Sequence, residues 1–300
     1  MATALVHIAL LLYAGAAVAF LAWLVRASQR WVSLGRALLA GGLLLHLASF
    51  VVALLAMGSS RSTAGLAGAG FGSDAWRGGQ LFSLLAAATV AGYLALDLKY
   101  RLPVAGAFVA PITVAVMVPA HLVNSKAHAI NPELTHSVAL ALHVGSAALG
   151  TAALALAFGL SLVYLASEKQ LKQKQPGRLF ARLPSLELID RLGWQLSIWG
   201  FVLLSVVVVT GSFVTRAEGQ GLFRLEAKSG FALLAWALLA ALIQARLVAG
   251  WRGRRVAILV VVGFLLLVCS YAGLLARSPI GIGRPAAALE SARPPPQAEG

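Results

Sequence analysis

Histidines inside long apolar runs are the residues of this sequence best suited to chemistry, and His46 and His143 are the two most deeply placed. An imidazole in apolar surroundings is costly without a partner, so such a histidine is a candidate functional residue by default. Neutral imidazole is the commonest metal ligand in proteins and a standard axial ligand of haem iron. His46 and His143 are therefore candidate ligands. A hydrogen bond to a neighbouring helix is the alternative role for each.

The surroundings of these histidines favour haem over a hydrolytic metal. Zinc needs three or four ligands, and the apolar runs place no carboxylate or cysteine at the same depth. A porphyrin is large, flat and apolar, and it needs few polar contacts. The predicted cofactor is haem b, with His143 and His46 as axial ligands of the iron.

The remaining histidines are predicted at or near the ends of apolar runs, where a polar tip is readily hydrated: His7, His121, His128 and His136. Asn131 as an N-cap and Pro132 as the first helical residue predict the start of the helix that carries His143. His136 is then one turn into that helix, and His143 lies about 10 Å further along its axis.

The elements that position these residues are predicted to be membrane-spanning helices. Hydrophobic residues make up 60% of the 300 positions and charged residues only 11%, which is typical of a multi-span membrane protein. Eight apolar runs are long enough to span a bilayer, near residues 3–25, 36–57, 80–97, 103–120, 136–166, 192–214, 229–248 and 256–276. The predicted fold is an all-α integral membrane bundle within a single domain, residues 1–280, followed by a disordered outer tail, 281–300.

The distribution of Lys and Arg predicts the orientation of the bundle. These residues are concentrated in the loops after the first, third, fifth and seventh runs, as in Trp251–Arg255. Cation-rich loops face the cytoplasm, so both termini are predicted to lie outside. Topology thus explains the net charge of +14, and nucleic acid is not a predicted partner. Cys269, the lone cysteine, lies in an apolar run and supports neither a disulfide nor a thiolate metal site.

Three segments resemble the cytochrome c assembly family, namely Leu142–Lys172, Leu183–Phe213 and Ser229–Leu274. The run GWRGRRVAI, Gly250 to Ile258, is the most specific piece, and LLLHLASF around His46 is similar to the HemX/YpjD-like branch of that family. The resemblance implies about eight helices in a bacterial inner (cytoplasmic) membrane, with haem held towards the outer side. It matches His143 to the haem-ligating histidine of the family and His46 to the histidine in the second helix of the branch.

The sequence departs from the haem-ligase members of the family at two places. Their tryptophan-rich outer motif would fall at residues 216–228, where this chain has no tryptophan, and Gln244 stands in place of a further histidine. We therefore expect a membrane protein that binds or handles haem in cytochrome c biogenesis, without complete ligase activity and with no catalytic residues of its own.

Two other functions compete with haem handling. A cofactor-free scaffold or regulator of haem biosynthesis could keep the same fold and bind other assembly or haem-biosynthesis proteins. A small-molecule transporter is disfavoured, because paired broken helices with intramembrane charges are missing from the sequence pattern.

Overall fold

The computed structural model describes residues 2–26, 28–59, 79–122, 138–173, 184–217 and 227–277. Every regular element within these residues is an α-helix. The helices are α1 (Ala2–Arg26), α2 (Gln29–Ser59), α3 (Gly79–Tyr100), α4 (Pro103–Leu122), α5 (Val138–Lys172), α6 (Leu186–Ala217), α7 (Ala227–Val248) and α8 (Arg254–Arg277). The predicted all-helical membrane fold is confirmed, while residues 281–300 lie outside the described part.

The described helices have the length and apolar composition of membrane spans. Seven of them are long and apolar enough to cross a bilayer, and the apolar part of α4, Pro103–Val118, is shorter. The third and fourth spans are joined by a tight turn within the DLKYRLP sequence. There Arg101 adopts a left-handed conformation, with φ 50°, and its amide donates to the carbonyl of Asp97 at 2.8 Å.

Several helices are longer than the apolar runs that predicted them. The helix α2 begins at Gln29 rather than near 36, α5 continues to Lys172, and α6 begins at Leu186. All of these extensions lie at one end of the bundle, where α1, α3, α5 and α7 end and the other helices begin. We call it the basic end. Helix formation there depends on backbone hydrogen bonds and tolerates polar side chains, so hydropathy alone underestimates the helix length.

The helices pack as two groups of four with the same pattern of neighbours. In the first group α1 packs mainly against α2 and α4, and α3 packs against α4. In the second group α5 packs mainly against α6 and less extensively against α8, and α7 packs against α8. The two groups meet where α5 contacts α3 and α4. His46 belongs to the first group and His143 to the second.

Glycines allow the closest approach within both groups. A Cβ added at Gly42 would lie 2.6 Å from the Tyr13 ring, and one added at Gly200 would lie 2.5 Å from the Leu154 side chain. Gly150 faces α6 in the same way, with Leu203 at 3.0 Å from the added Cβ. Small residues at Gly42 and Gly150 therefore let α1 pack closely against α2 and α5 pack closely against α6.

Candidate functional site

His143 lies near the start of α5 and faces α6. Its Nδ1 is 3.1 Å from the backbone carbonyl oxygen of Val207 and 3.2 Å from the Thr210 hydroxyl oxygen. The Thr210 hydroxyl donates its hydrogen to the carbonyl of Val206 at 2.6 Å. Both neighbours of Nδ1 are thus acceptors, so Nδ1 carries the imidazole proton. The lone pair of the neutral ring must then be on Nε2.

This arrangement is the one that metal-ligating histidines require. A ligating imidazole usually donates its other N–H to a carbonyl or carboxylate, which fixes both the tautomer and the ring orientation. Gly211 leaves room for the His143 ring, because a Cβ at this position would lie only 3.1 Å from Cε1 of His143. His143 is only half-buried. These residues therefore fit the role of an axial ligand that binds iron through Nε2.

His46 lies in α2 and is fully buried, with no exposed side-chain surface. Its Nδ1 is 3.3 Å from the hydroxyl of Tyr13 on α1, and its Nε2 is 2.5 Å from the hydroxyl of Ser83 on α3. The ring also stacks on Phe50, with ring centroids 5.3 Å apart. Both ring nitrogens are engaged, so His46 joins three helices and fits an axial ligand only after one hydroxyl has moved.

The space for the Tyr13 ring comes from Gly42, one helical turn before His46. We expect Gly42→Ala to displace Tyr13, to weaken its hydrogen bond to His46 and to destabilise the fold by about 1–3 kcal/mol, which is typical of overpacking. Thermal unfolding of the purified protein measures this change. Gly41→Ala is the matched control, since a Cβ there meets only Leu12, at 3.9 Å. Equal losses in the two variants would contradict the prediction.

The two candidate ligands face different helices. The ring nitrogens of His46 meet α1 and α3, whereas Nδ1 of His143 meets α6. Among the residues that the structure describes, no three His, Cys, Asp or Glu side chains come together as a metal site.

The other residues of the predicted site are placed as follows. His7 is exposed near the start of α1, and Gln244 is exposed on α7. His121 lies in the last turn of α4. His128, His136 and the predicted cap at Asn131 and Pro132 lie outside the described residues, as does most of the segment 216–228.

Sequence reasoning missed a polar cluster at the basic end. Asp190 of α6 accepts two hydrogen bonds from the guanidinium group of Arg246 on α7, at 3.2 and 2.7 Å, and one from the amide of Gly253 at 3.2 Å. The Arg246 guanidinium also stacks on Trp194, 4.6 Å from the ring centroid. This cluster ties the start of α6 to the end of α7 and to the turn before α8.

The Gly250–Gly253 turn has the backbone conformation that its glycines permit. Both have positive φ, 65° and 68°, and the amide of Trp251 closes α7 by donating to the carbonyl of Ala245 at 3.2 Å. A Cβ at Gly253 would also lie 2.7 Å from the Tyr164 hydroxyl. The GWRGRR sequence is therefore explained by the turn and by the hydrogen bond to Asp190.

A second ion pair lies in the first group of helices. Arg36 of α2 makes a two-point contact with the Asp97 carboxylate of α3. In both groups, therefore, the second and third helices are joined by an Arg–Asp pair at the basic end. Lys99 and Arg101 are the basic neighbours of Asp97 along the sequence, and the structure adds Arg36 from a distant helix.

The cytochrome C assembly protein family matches residues 5–277, a range that includes parts of all eight helices, both candidate histidines and the Gly250–Gly253 turn. This chain belongs to that family. The predicted family membership is confirmed. The prediction of a multi-span membrane protein of the cytochrome c assembly system is confirmed as well. Haem handling is what this membership implies.

Curated relatives of the chain carry the name cytochrome c biogenesis protein CcsA. The relative from Synechococcus sp. (strain CC9902) is 31% identical over 113 residues, which is 36% of this chain and 36% of the relative. The relative from Porphyra purpurea is 34% identical over 92 residues, 31% of this chain and 29% of the relative. The matches thus span about a third of the length of these relatives. The HemX/YpjD-like branch stays a prediction.

Proposed function

We propose that this protein binds or handles haem in the assembly of c-type cytochromes, without complete haem-ligase activity. The observation that carries the proposal is the geometry of His143. The Val207 carbonyl and the Thr210 hydroxyl hold the proton on Nδ1 and direct the lone pair to Nε2. Family membership over residues 5–277 supports the same reading.

His143 and His46 are the proposed axial ligands, and haem b is the proposed cofactor. Bound haem supplies an iron that accepts imidazole nitrogens as axial ligands. His143 is already oriented for this role through Nε2. His46 would be the second ligand, and Ser83 and Tyr13 are the residues that hold its ring.

The proposal that haem-ligase activity is incomplete rests on the sequence of residues 216–228. Ligase members present haem on a tryptophan-rich motif, and this chain has no tryptophan in the corresponding stretch. We infer that the protein carries or stores haem for a partner and does not itself form the thioether bonds. The partners would be other cytochrome c assembly or haem-biosynthesis proteins in a bacterial inner membrane, with both termini of this chain outside.

A visible spectrum of the purified full chain tests the proposal. After supplementation with haemin and removal of the excess, we expect a Soret band at about one haem per chain, and a low-spin spectrum on reduction. A protein that keeps its helical circular dichroism but shows no Soret band would rule out haem binding.

The second candidate function is a cofactor-free scaffold or regulator of haem biosynthesis with the same fold. It is favoured by His46, whose ring nitrogens are both hydrogen-bonded within the helix bundle. A scaffold would co-purify with the same partner proteins whether or not His143 is replaced by alanine. A haem carrier would lose the haem and the haem-dependent partners together.

The hydroxyl of Thr210 should affect the haem through His143. We expect Thr210→Val, which keeps the side-chain shape and removes the hydroxyl, to weaken the hold on the Nδ1 proton, which keeps its bond to the Val207 carbonyl. Haem affinity should then fall roughly 10-fold, as for other partners of ligating histidines. A haem titration and the reduction potential measure the effect. Thr210→Ser should restore both values, and a Thr210→Ser variant that behaves like Thr210→Val would contradict this role.

A further inference from the structure

The two groups of four helices share sequence patterns as well as the pattern of neighbours. Helix α3 contains FSLLAAATVA at residues 82–91, and α7 contains FALLAWALLA at residues 231–240, so both follow the pattern F-x-L-L-A-x-A-x-x-A. Helices α2 and α6 share the pattern L-G-x-x-L-x-x-x-G, at residues 34–42 and 192–200. Because the same packing recurs in the same chain order, the second group is a repeat of the first.

The interior of the two groups agrees with this alignment. Three pairs of equivalent residues on α3 and α7 are fully buried, namely Ala86 and Ala235, Val90 and Leu239, and Tyr93 and Leu242. One turn beyond the last pair, Asp97 and Arg246 are equivalent as well, and each forms the ion pair that joins its helix to the preceding one. The alignment of α3 with α7 therefore holds in sequence, burial and contacts.

A second face of these helices is buried on α3 and exposed on α7. Phe82 and Leu85 of α3 are 4% and 3% exposed. Their equivalents on α7, Phe231 and Leu234, are 40% and 54% exposed although the residue types are the same. The difference must come from what packs against each helix.

Helix α5 covers this face of α3. A Cβ added at Gly92, further along the same face, would lie 2.8 Å from the side chain of Leu156 on α5. Among the described helices, none takes the place beside α7 that α5 takes beside α3. The covering helix is thus the part of the repeat that α7 lacks.

Helix α1 is the equivalent of α5 in the first group. Tyr13 of α1 lies over Gly42, and Leu154 of α5 lies over Gly200, which is the equivalent of Gly42 in α6. Tyr13 and Leu154 therefore occupy equivalent positions, and they align the two helices residue by residue.

The side of α1 that matches the covering side of α5 is exposed. Leu11 is equivalent to Ala152 and Val18 is equivalent to Gly159 in this alignment. Ala152 and Gly159 are buried in the bundle, whereas Leu11 and Val18 are 70% and 65% exposed. Each chain thus carries both sides of the α3–α5 contact a second time, one on α7 and the other on α1.

We propose that α1 of a second copy of this chain packs against α7, as α5 packs against α3. The face of α7 with Phe231 and Leu234 receives the side of α1 with Leu11 and Val18. The contact is heterologous, because two different faces meet, so copies join head to tail. It does not depend on haem.

The residues at the centre of this contact allow the helices to approach. Ala241 of α7 is the equivalent of Gly92, and Gly15 of α1 is the equivalent of Leu156. The larger residue on α7 is therefore met by a smaller one on α1. Small residues facing each other are what brings helices together in a membrane, where apolar area alone gives no advantage over lipid.

Disulfide cross-linking between two tagged forms of the full chain tests the contact in the membrane. Cys269 is the one cysteine of the sequence, so Cys269→Ser gives a background without thiols. One form then carries Leu11→Cys and the other Leu234→Cys, and oxidation of the co-expressed forms should give a cross-linked dimer of the two tags. Either form alone should give none.

Val51→Cys is the matched control for Leu234→Cys, because Val51 lies on α2 and is equally exposed, at 53%. Its mixture with Leu11→Cys should give no dimer. Adding Ala241→Leu to the Leu234→Cys form should lower the cross-linked fraction roughly fivefold, which corresponds to about 1 kcal/mol. Since Ala241 is exposed, this change should leave the thermal stability of the chain itself unaltered.

Three results would overturn the proposal. A mixture of Leu11→Cys and Leu234→Cys that gives no more dimer than the Val51→Cys control would mean that lipid covers α7. A dimer formed by Leu234→Cys alone would mean that α7 meets a second α7. A cross-linked fraction that Ala241→Leu leaves unchanged would place the contact elsewhere on the two helices.

Discussion

Replacing His143 by alanine should lower the affinity for haem by more than about 100-fold. Loss of a partner that merely orients a ligating histidine costs about 10- to 100-fold in affinity, and loss of the ligand itself should cost more. His143 is the candidate whose ring is already fixed for ligation, with Nδ1 bonded to α6. The measurement is a haemin titration of the purified variant followed at the Soret band, with the reduced spectrum recorded at saturation.

The matched control is His7→Ala. His7 is an exposed histidine on α1, so its replacement removes an imidazole from the chain and keeps both candidate ligands in place. We expect the His7→Ala titration to overlay that of the wild type. If the titration curve of His143→Ala also matches that of the wild type while the variant keeps its thermal stability, His143 does not hold the iron. That result would favour the scaffold function.

The number and type of the helices could be predicted from the sequence, because each membrane span needs about twenty consecutive, mainly apolar residues. The depth of His46 and His143 follows from the same pattern. What the pattern hides is where a helix continues beyond the hydrocarbon. The opening segments of α2 and α6 include Gln29, Arg30, Glu187 and Asp190, and a hydropathy window excludes such residues although the helix includes them.

The partners of the two histidines could not be predicted, because they come from distant parts of the chain. Tyr13 and Ser83 are 33 and 37 residues away from His46, and Thr210 is 67 residues away from His143. Hydroxyl side chains are common in these helices, and periodicity does not say which of them turns away from its own backbone. The contact of Ser83 with His46 is therefore visible only in the packing of α3 against α2.

The Asp190–Arg246 pair escaped prediction for a related reason. Asp190 was assigned to a basic loop and Arg246 to the end of a span, so each charge had an explanation by itself. The structure brings them together, with 20% of the Asp190 side chain and 12% of the Arg246 side chain exposed. A pair this deeply placed is strongly coupled, because removal of one partner leaves the other charge poorly solvated.

Asp190→Ala should therefore destabilise the protein by about 3 kcal/mol, at the lower end of the range for breaking a buried pair, because the site keeps some access to water. The variant leaves the Arg246 guanidinium without a carboxylate and the Gly253 amide without its acceptor. The midpoint of thermal unfolding in detergent should fall by roughly 5–10 °C. Haem affinity is a useful second readout, since the cluster lies at the opposite end of α6 from Thr210 and should leave it largely unchanged.

Two further variants test whether the uncompensated charge of Arg246 causes the loss of stability in Asp190→Ala. Asp97→Ala should cost less than Asp190→Ala, because 37% of the Arg36 side chain is exposed and water can solvate the guanidinium that remains. The double variant Asp190→Ala with Arg246→Met should recover part of the lost stability, since it removes the uncompensated cation and keeps an unbranched side chain over Trp194. If the double variant is as unstable as the sum of the two single variants, the pair acts through packing alone. If Asp97→Ala proves the more damaging change, exposure of the remaining arginine is not what sets the loss.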